Sequence, residues 1–320
     1  MMNAQKIYDW IFQWKIITSI IRLSKKLVLP GFDGLPLYNV AGFFIKGLYE
    51  GYITSRASAI SFSFFLAIFP SLIFFFTIIP FIPIENFQIT LLDLIHDFMP
   101  KSAYETVKET VEDIVTRPRG GLLSIGFILA LYFSTNGINN MMEAFNNTYH
   151  TIETRSSFRQ WLISALLVFI LTVLLILSIG LMTLGPVILS IFIPVKILES
   201  SFYSILIWLL TWLLSISAFF FAISFLYYLA PARRRDFRFI SAGSSLATLL
   251  VILTTAGFNF YVDNFAKYNI LYGSIGTLMV VLLWIYFNAI SLLIGFELNA
   301  SIYKAKREEK LVTGANVPGS

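Results

Sequence analysis

The sequence contains no cysteine and few charged residues. None of its 320 residues is Cys, which excludes disulfides, thiolate metal sites and a cysteine nucleophile. Charged residues make up 13% of the chain and hydrophobic residues 57%, whereas a soluble domain carries about 25% charged residues. This composition predicts that most of the chain lies in lipid. There is also no convincing internal repeat, so an inverted-repeat transporter is not supported.

Long uncharged runs predict an all-α polytopic membrane bundle of six transmembrane helices, with interfacial amphipathic helices beside it. About 20 helical residues cross a hydrocarbon core of about 30 Å. We place the membrane domain at residues 57–303, with spans at about 58–82, 120–142, 161–184, 203–230, 239–262 and 272–298. The other segments are N-terminal helices at 1–56, a small extracytoplasmic helical cap at 85–119, and a charged tail at 304–320.

The positive residues are distributed unevenly between the two sides of this bundle. Of 23 Lys and Arg residues, 17 fall on the side of the termini. The other six are Lys101, Lys108, Arg117, Arg119, Lys196 and Lys267. Because cytoplasmic loops carry an excess of Lys and Arg, we expect both termini in the cytoplasm.

The first 29 residues are apolar but interrupted by Asp9, Lys15 and Arg22. They are too charged to span a membrane and lack a small-residue cleavage site, so we reject a signal peptide. Two alternatives stay open. One is a helix lying in the membrane plane with its basic residues near anionic headgroups, and the other is a helix packed on the bundle. A second amphipathic segment, 37–55, leads to the first span.

Prolines and small residues mark positions within the spans. Pro70 removes the hydrogen bond to the Leu66 carbonyl and predicts a kink; a hinge or cavity wall is one interpretation, and packing shape is the one we favour. Gly185 and Pro186 predict that the third helix ends near residue 184, before an apolar connector. The fifth span is rich in small residues, which predict close helix packing.

The second span ends in polar residues, and we expect its helix to continue beyond the membrane. Helical spacing divides this extension into an apolar face and a polar face. The polar face would carry Asn139, Glu143, Asn146 and His150.

Glu297 is the one acid inside the apolar core of the last span. It follows 29 uncharged residues, 268–296, and a carboxylate at a membrane border is costly unless it is paired, protonated or hydrated. We predict that its partner is Arg56 or one of Arg233, Arg234 and Arg235. Glu297 then either belongs to a transport pathway or forms a structural pair that closes the inner end of the bundle, and we slightly favour the second.

Several motifs resemble the YihY/BrkB family of bacterial inner-membrane proteins. They are RASAISFSFFLAIFP at 56–70, Asn146 with Tyr149, Glu153 and Arg155, the stretch Tyr228 to Pro231, YGSIG from Tyr272 and Gly273 to residue 276, Trp284, and LLIGFELNA at 292–300, which includes Asn299. The resemblance covers roughly residues 50 to 303 and implies six spans in a bacterial inner membrane. Some members carry the name ribonuclease BN, a label regarded as mistaken, and others are linked to serum resistance or proposed as transporters. The family has no agreed catalytic residues.

Three classes of function are compatible with these features. A mover or flippase of a lipid or small solute fits the intramembrane acid, the proline in a span and the small-residue helices. A non-enzymatic scaffold for envelope integrity is the alternative, and a ribonuclease is a poor fit, because cytoplasmic acids are sparse and His96 and His150 are predicted on opposite sides. We therefore expect no catalytic residues, no cofactor, no metal and no bound nucleic acid. We expect membrane lipids as partners.

Overall fold

The computed structural model describes residues 15–82, 116–148, 151–152, 156–192, 201–232, 238–265, 274–312 and 314, together with residues 89, 92, 109, 112 and 113. Its helices are α1 (Lys15–Ser24), α2 (Leu37–Glu50), α3 (Ile53–Ile78), α4 (Gly120–Asn146), α5 (Ser157–Phe192), α6 (Ser201–Leu229), α7 (Ala242–Phe265) and α8 (Ser274–Val312). A 3-10 turn, Ile79–Phe81, follows α3. Two short strands, β1 (Asn147–Thr148) and β2 (Thr151–Ile152), pair antiparallel after α4.

Within the described residues, six helices, α3 to α8, are long and apolar enough to cross a membrane. The all-α six-span architecture expected from the sequence is therefore confirmed. Large apolar side chains on the outer faces are widely exposed, as Trp208 and Leu213 of α6 illustrate at 61% each. In a six-span membrane protein such surfaces face lipid tails rather than water.

Two separate cores hold the bundle together. The larger one joins α3, α4, α5, α6, α7 and α8 and contains the enclosed side chains of Met142, Leu167 and Leu293. The smaller one packs Phe32, Leu35 and Val40 against Leu298 and Ile302 of α8. Residues 29–44 therefore lie against the end of the last helix, so the N-terminal segment and the C-terminal end of α8 share one side of the bundle. We call this the N-terminal side.

Ionic contacts reinforce this smaller core. Asp33, in the turn before α2, pairs with Lys306 of α8 at 2.5 Å and with Arg238, shortly before α7, at 2.9 Å. The N-terminal segment is thus packed on the bundle over residues 29–44. For α1 itself, the choice between an interfacial and a packed helix stays open.

Some predicted helix ends were wrong, because the end of a hydrophobic run is not the end of a helix. Helix α8 continues to Val312, and the buried Ala305 within it belongs to the smaller core rather than to a free tail. Helix α5 continues through Gly185 and Pro186 to Phe192. Conversely, α4 ends at Asn146 and gives way to β1, so the predicted helical extension stops there. Tyr149 and His150 lie outside the described residues.

The segment predicted as one amphipathic stretch, 37–55, is broken in the structure. Helix α2 ends at Glu50, and Tyr52 adopts a left-handed conformation, with φ of 48°, before α3 begins at Ile53. The fifth span also starts later than predicted, at Ala242. The predicted cap at 85–119 lies almost entirely outside the described residues; at its end, both Arg117 and Arg119 pair with Asp113.

Candidate functional site

The break between α2 and α3 brings a buried ion pair together on the N-terminal side. Nη1 of Arg56 lies 3.8 Å from Oε2 of Glu297, and the side chains are 11% and 0% exposed. The same Nη1 donates a hydrogen bond of 2.9 Å to the carbonyl of Gly51, just past the end of α2. A cation is favourable there because the C-terminus of a helix carries partial negative charge. Arg56 therefore links α2, α3 and α8. It is one of the four arginines that the sequence left open as partners of Glu297.

A glycine in α2 makes room for this carboxylate. A Cβ atom on Gly47 would overlap Oε1 of Glu297 and lie 2.8 Å from its Cδ. No side chain larger than hydrogen fits there unless the Glu297 side chain or α2 moves. We refer to Gly47, Gly51, Arg56 and Glu297 as the elbow.

Asn299 of α8 anchors the start of α7. It lies one helical turn after Gly295 in the stretch LLIGFELNA. Its Oδ1 accepts a hydrogen bond of 2.8 Å from the backbone N–H of Gly243, and its Nδ2 donates to Oγ of Ser241 at 2.9 Å. Oγ of Ser241 in turn accepts from the N–H of Ser244. The first N–H groups of a helix need such partners, so Asn299 fixes α7 against α8.

Small residues allow these two helices to approach closely, as the sequence predicted. A Cβ atom on Gly295 would lie 2.6 Å from Cβ of Ala247 and 2.6 Å from the carbonyl oxygen of Gly243. Tyr227 of α6, which is fully buried, donates its hydroxyl to the carbonyl of Leu292 on α8. The end of the bundle that holds the elbow is thus densely packed.

A cleft of about 590 Å³ opens between α4 and α5, on the same side of the bundle. Its lining is rich in amides and aromatic rings: Tyr132, Asn136, Asn139, Glu143, Asn146, Asn147, Ser157, Phe158, Gln160 and Trp161. Tyr132, Asn136, Asn139 and Glu143 recur every three or four residues and form one stripe along α4. The cleft therefore runs along the second span rather than across its end.

Hydrogen bonds organise the polar part of this cleft. Nε2 of Gln160 donates to Oδ1 of Asn139 at 3.0 Å and to Oε1 of Glu143 at 3.4 Å. Nδ2 of Asn139 also donates to Oε1 of Glu143, at 3.2 Å. One carboxylate oxygen of Glu143 is thus held by two amides, and no described residue forms an ion pair with this side chain.

Asn146, the last residue of α4, lines the cleft at the end of that helix. Its Oδ1 accepts a hydrogen bond of 2.9 Å from the backbone N–H of Ala232, which follows the buried Pro231. The side chain is 7% exposed, and its Nδ2 has no hydrogen-bond partner in the described part of the chain. The amide is therefore oriented by one contact, while its buried donor group has no partner among the described residues.

Comparison with known proteins places the chain in a family. The profile described as virulence factor BrkB matches residues 44–317. The chain belongs to the BrkB family. A ribonuclease-like protein of Bacillus subtilis (strain 168) is 31% identical over 275 residues, which cover 82% of this chain and 96% of the relative. A UPF0761 membrane protein of Haemophilus influenzae (strain 86-028NP) is 24% identical over 276 residues, which cover 84% and 96%. No solved structure matches.

The residues that suggested the BrkB family fall into separate places in the structure. Arg56, Glu297 and Asn299 lie on the N-terminal side, and Asn146 lies in the cleft beside Pro231. Pro70 is buried within α3, which continues on either side of it, and a hinge role there stays a prediction. Trp284 lies away from these groups on α8 and is 41% exposed. The remaining candidates are outside the described residues: Tyr149, Glu153, Arg155, Arg233, Arg234, Arg235, Tyr272 and Gly273.

Sequence reasoning did not single out four residues that the structure makes prominent. Glu143 was placed on the polar face of α4 but not proposed as a site residue, although its helical spacing from Asn139 was a usable signal. Gln160 and Trp161 lie near the start of α5, and no local pattern links them to α4. Gly47 has no local signal either, because its importance arises from a contact with Glu297, which is distant in sequence.

Proposed function

We propose that this BrkB-family membrane protein moves a lipid or a small solute across the membrane. The observation that supports this proposal is the polar cleft between α4 and α5. From Tyr132 to Glu143 its stripe rises about 16 Å along the helix axis, from within the span predicted at 120–142 to the polar end of that span. Asn136 and Asn139 lie within the predicted span, where polar groups are costly and typically mark substrate pathways in membrane proteins.

The shape of the cleft suits a substrate that has an apolar part. Its polar wall consists of amides and one carboxylate, whereas Phe158, Tyr132 and Trp161 at its edge are 76%, 58% and 49% exposed. A headgroup could follow the amide stripe while acyl chains remain in the surrounding lipid. The cleft offers this path from the N-terminal side to the middle of the second span.

The elbow has a different part in this proposal. Glu297 is completely enclosed and faces Arg56 and Gly47, so it is not a lining group of the cleft. This enclosure supports the structural interpretation of Glu297 over a place in the transport path. A charged pair that fixes α2, α3 and α8 would hold the N-terminal side rigid while substrate moves along α4.

Transport is tested in liposomes with the purified protein and fluorescent lipids or trapped solutes. Asn136→Leu replaces an exposed amide that lines the cleft with a larger apolar group, and we expect it to lower the flux about tenfold or more. Ser58→Leu is the matched control, since Ser58 is an exposed polar residue on α3 outside the cleft. A wild-type rate equal to that of empty liposomes, or an unchanged rate in Asn136→Leu, would contradict the proposal.

A scaffold is the second candidate, and one surface favours it. Tyr49 and Tyr52, at the junction of α2 and α3, are 87% and 76% exposed on the N-terminal side, and exposed aromatic residues are common at protein interfaces. If the protein is a scaffold, Asn136→Leu should correct the envelope defect of a deletion strain as well as the wild-type protein does. Failure of that variant to complement would favour transport.

Ribonuclease activity is not part of our proposal. One relative carries a ribonuclease-like name, but within the described residues no three His, Asp or Glu side chains are grouped as metal ligands. The absence of enzymatic activity stays a prediction, as do the inner-membrane location and the cytoplasmic placement of both termini.

A further inference from the structure

We infer that the cleft between α4 and α5 is a binding site for a primary ammonium group, such as the amine headgroup of a phospholipid. The inference rests on the proposed function in taking the cleft as the substrate site, and it adds the chemical class of that substrate. It depends on three features of the lining: its charge, its aromatic edge and its available hydrogen-bond donor.

The charge of the lining favours a cation. Glu143 is the only ionised side chain among the described residues that line the cleft. Its Oε1 accepts two amide hydrogen bonds, while its Oε2 accepts none from the described residues. A carboxylate that is oriented in this way, with no Lys or Arg of the described residues paired to it, can accept a hydrogen bond from an ammonium group. An anionic ligand would find no positive charge among the described lining residues.

The aromatic edge strengthens the same preference. Trp161 and Tyr132 line the cleft together with Glu143, and an ammonium group is attracted to the faces of such rings. Aromatic residues near membrane interfaces also occur without any ligand, so the rings alone would not identify a site. They support a cation site because they line the same cleft as a carboxylate for which the described residues supply no partner cation.

Asn146 provides a group for the rest of the ligand. Its Nδ2 is buried and has no partner in the described part of the chain, which is costly unless an acceptor binds there. Asn146 follows Glu143 by three residues, so the two side chains are neighbours on α4, with Cβ atoms about 5–6 Å apart. An ammonium at Glu143 and a phosphate or ester oxygen at Asn146 would satisfy both groups.

The test measures binding rather than transport. Purified protein in detergent is titrated with phosphatidylethanolamine and, separately, with N-acetyl-phosphatidylethanolamine, which keeps the phosphate and loses the ammonium. We expect the amine lipid to bind at least about tenfold more tightly, an ordinary value for a charge-assisted hydrogen bond. Equal affinities for the two lipids would overturn the inference, and this comparison needs no variant.

Glu143→Gln locates the site. Glutamine has the same shape and still accepts hydrogen bonds from Asn139 and Gln160, but it carries no charge. In this variant the two lipids should bind with about equal affinity. It should persist in Glu308→Gln, which removes a half-exposed carboxylate at the far end of α8. A preference that survives in Glu143→Gln would also overturn the inference.

Two further arms identify the source of the ammonium and separate this inference from transport. Displacement of the lipid by free ethanolamine would support a soluble amine as ligand, and displacement only by amine lipids would support a headgroup. Selective binding without flux would contradict the proposed function and leave the binding site standing. Flux without selective binding of the amine lipid would support the proposed function and contradict the inference of an ammonium site.

Discussion

Two carboxylates on the same side of the bundle have opposite surroundings. Glu297 is completely buried at the elbow and faces Arg56 and Gly47. Glu143 is exposed in the cleft, where amides hold one of its oxygens and no described cation pairs with it. The elbow is closed by the chain itself, whereas the cleft leaves room for a ligand.

This difference suggests how to distinguish structural from functional acids in a membrane bundle. A carboxylate near a membrane border is costly in either case unless it is paired, protonated or hydrated. At the elbow the cost is offset within the chain by a cation and close packing. In the cleft, amides satisfy part of the carboxylate, and the remainder faces an open space of about 590 Å³. We therefore assign stability to Glu297 and binding to Glu143.

The largest expected contrast is in chemical access, and it is measured with single cysteines because the chain contains none. Glu143→Cys should react readily with a membrane-impermeant thiol reagent, whereas Ala57→Cys, at a fully buried position beside Arg56, should not. If the termini are cytoplasmic, the reaction at position 143 occurs in inside-out vesicles and not in intact cells. Rapid labelling at position 57 would show that the elbow is open, and the comparison would fail.

The next effect is the stability of the elbow. Arg56→Met leaves the Glu297 carboxylate buried without its cation, and breaking such a pair from one side costs about 3–5 kcal/mol. Glu297→Gln should also destabilise the protein, by leaving Arg56 without its carboxylate. The double variant should recover part of the sum of the two losses. Unfolding in detergent, followed by circular dichroism, measures all three; strictly additive losses would show that the pair is not coupled.

A smaller loss is expected from Gly47→Ala. The new methyl group would overlap Oε1 of Glu297, so either the enclosed Glu297 side chain or α2 must shift, and such overpacking costs about 1–3 kcal/mol. Gly42→Ala is the matched control on the same helix, because a Cβ atom there has no neighbour within 4 Å. The control should be neutral or slightly stabilising, since Ala favours helix. Equal melting temperatures of the two variants would show that α2 is not docked on Glu297.

The elbow also shows which features could be predicted from sequence. Glu297 stood out because a long uncharged run precedes it, and few cations near that border could serve as its partner. Charge and topology limited the predicted partner to Arg56 or one of Arg233, Arg234 and Arg235, and the structure shows the pair with Arg56. Gly47 could not be predicted, because its role depends on two helices, far apart in the chain, that meet at one atom.

The cleft was less predictable for a related reason. Helical spacing placed Asn139, Glu143 and Asn146 on one face, which the structure confirms as far as the end of α4. Their partner Gln160 lies on another helix, and no periodicity within α4 indicates which residue will face it. Helix ends were missed where apolar packing continues beyond the end of the hydrophobic run. On α8, Ile302 and Ala305 are packed in this way.

The smallest expected effect completes the comparison of the two acids. Glu143→Gln should change the free energy of unfolding by no more than about 0.5 kcal/mol, because Glu143 is exposed and such substitutions are usually nearly neutral. The amide still accepts hydrogen bonds from Asn139 and Gln160, so the cleft keeps its shape. Melting curves of Glu143→Gln and Glu297→Gln, measured side by side, should therefore differ by the full effect at Glu297. If Glu143→Gln unfolds as early as Glu297→Gln does, its carboxylate holds α4 to α5, and both acids are structural.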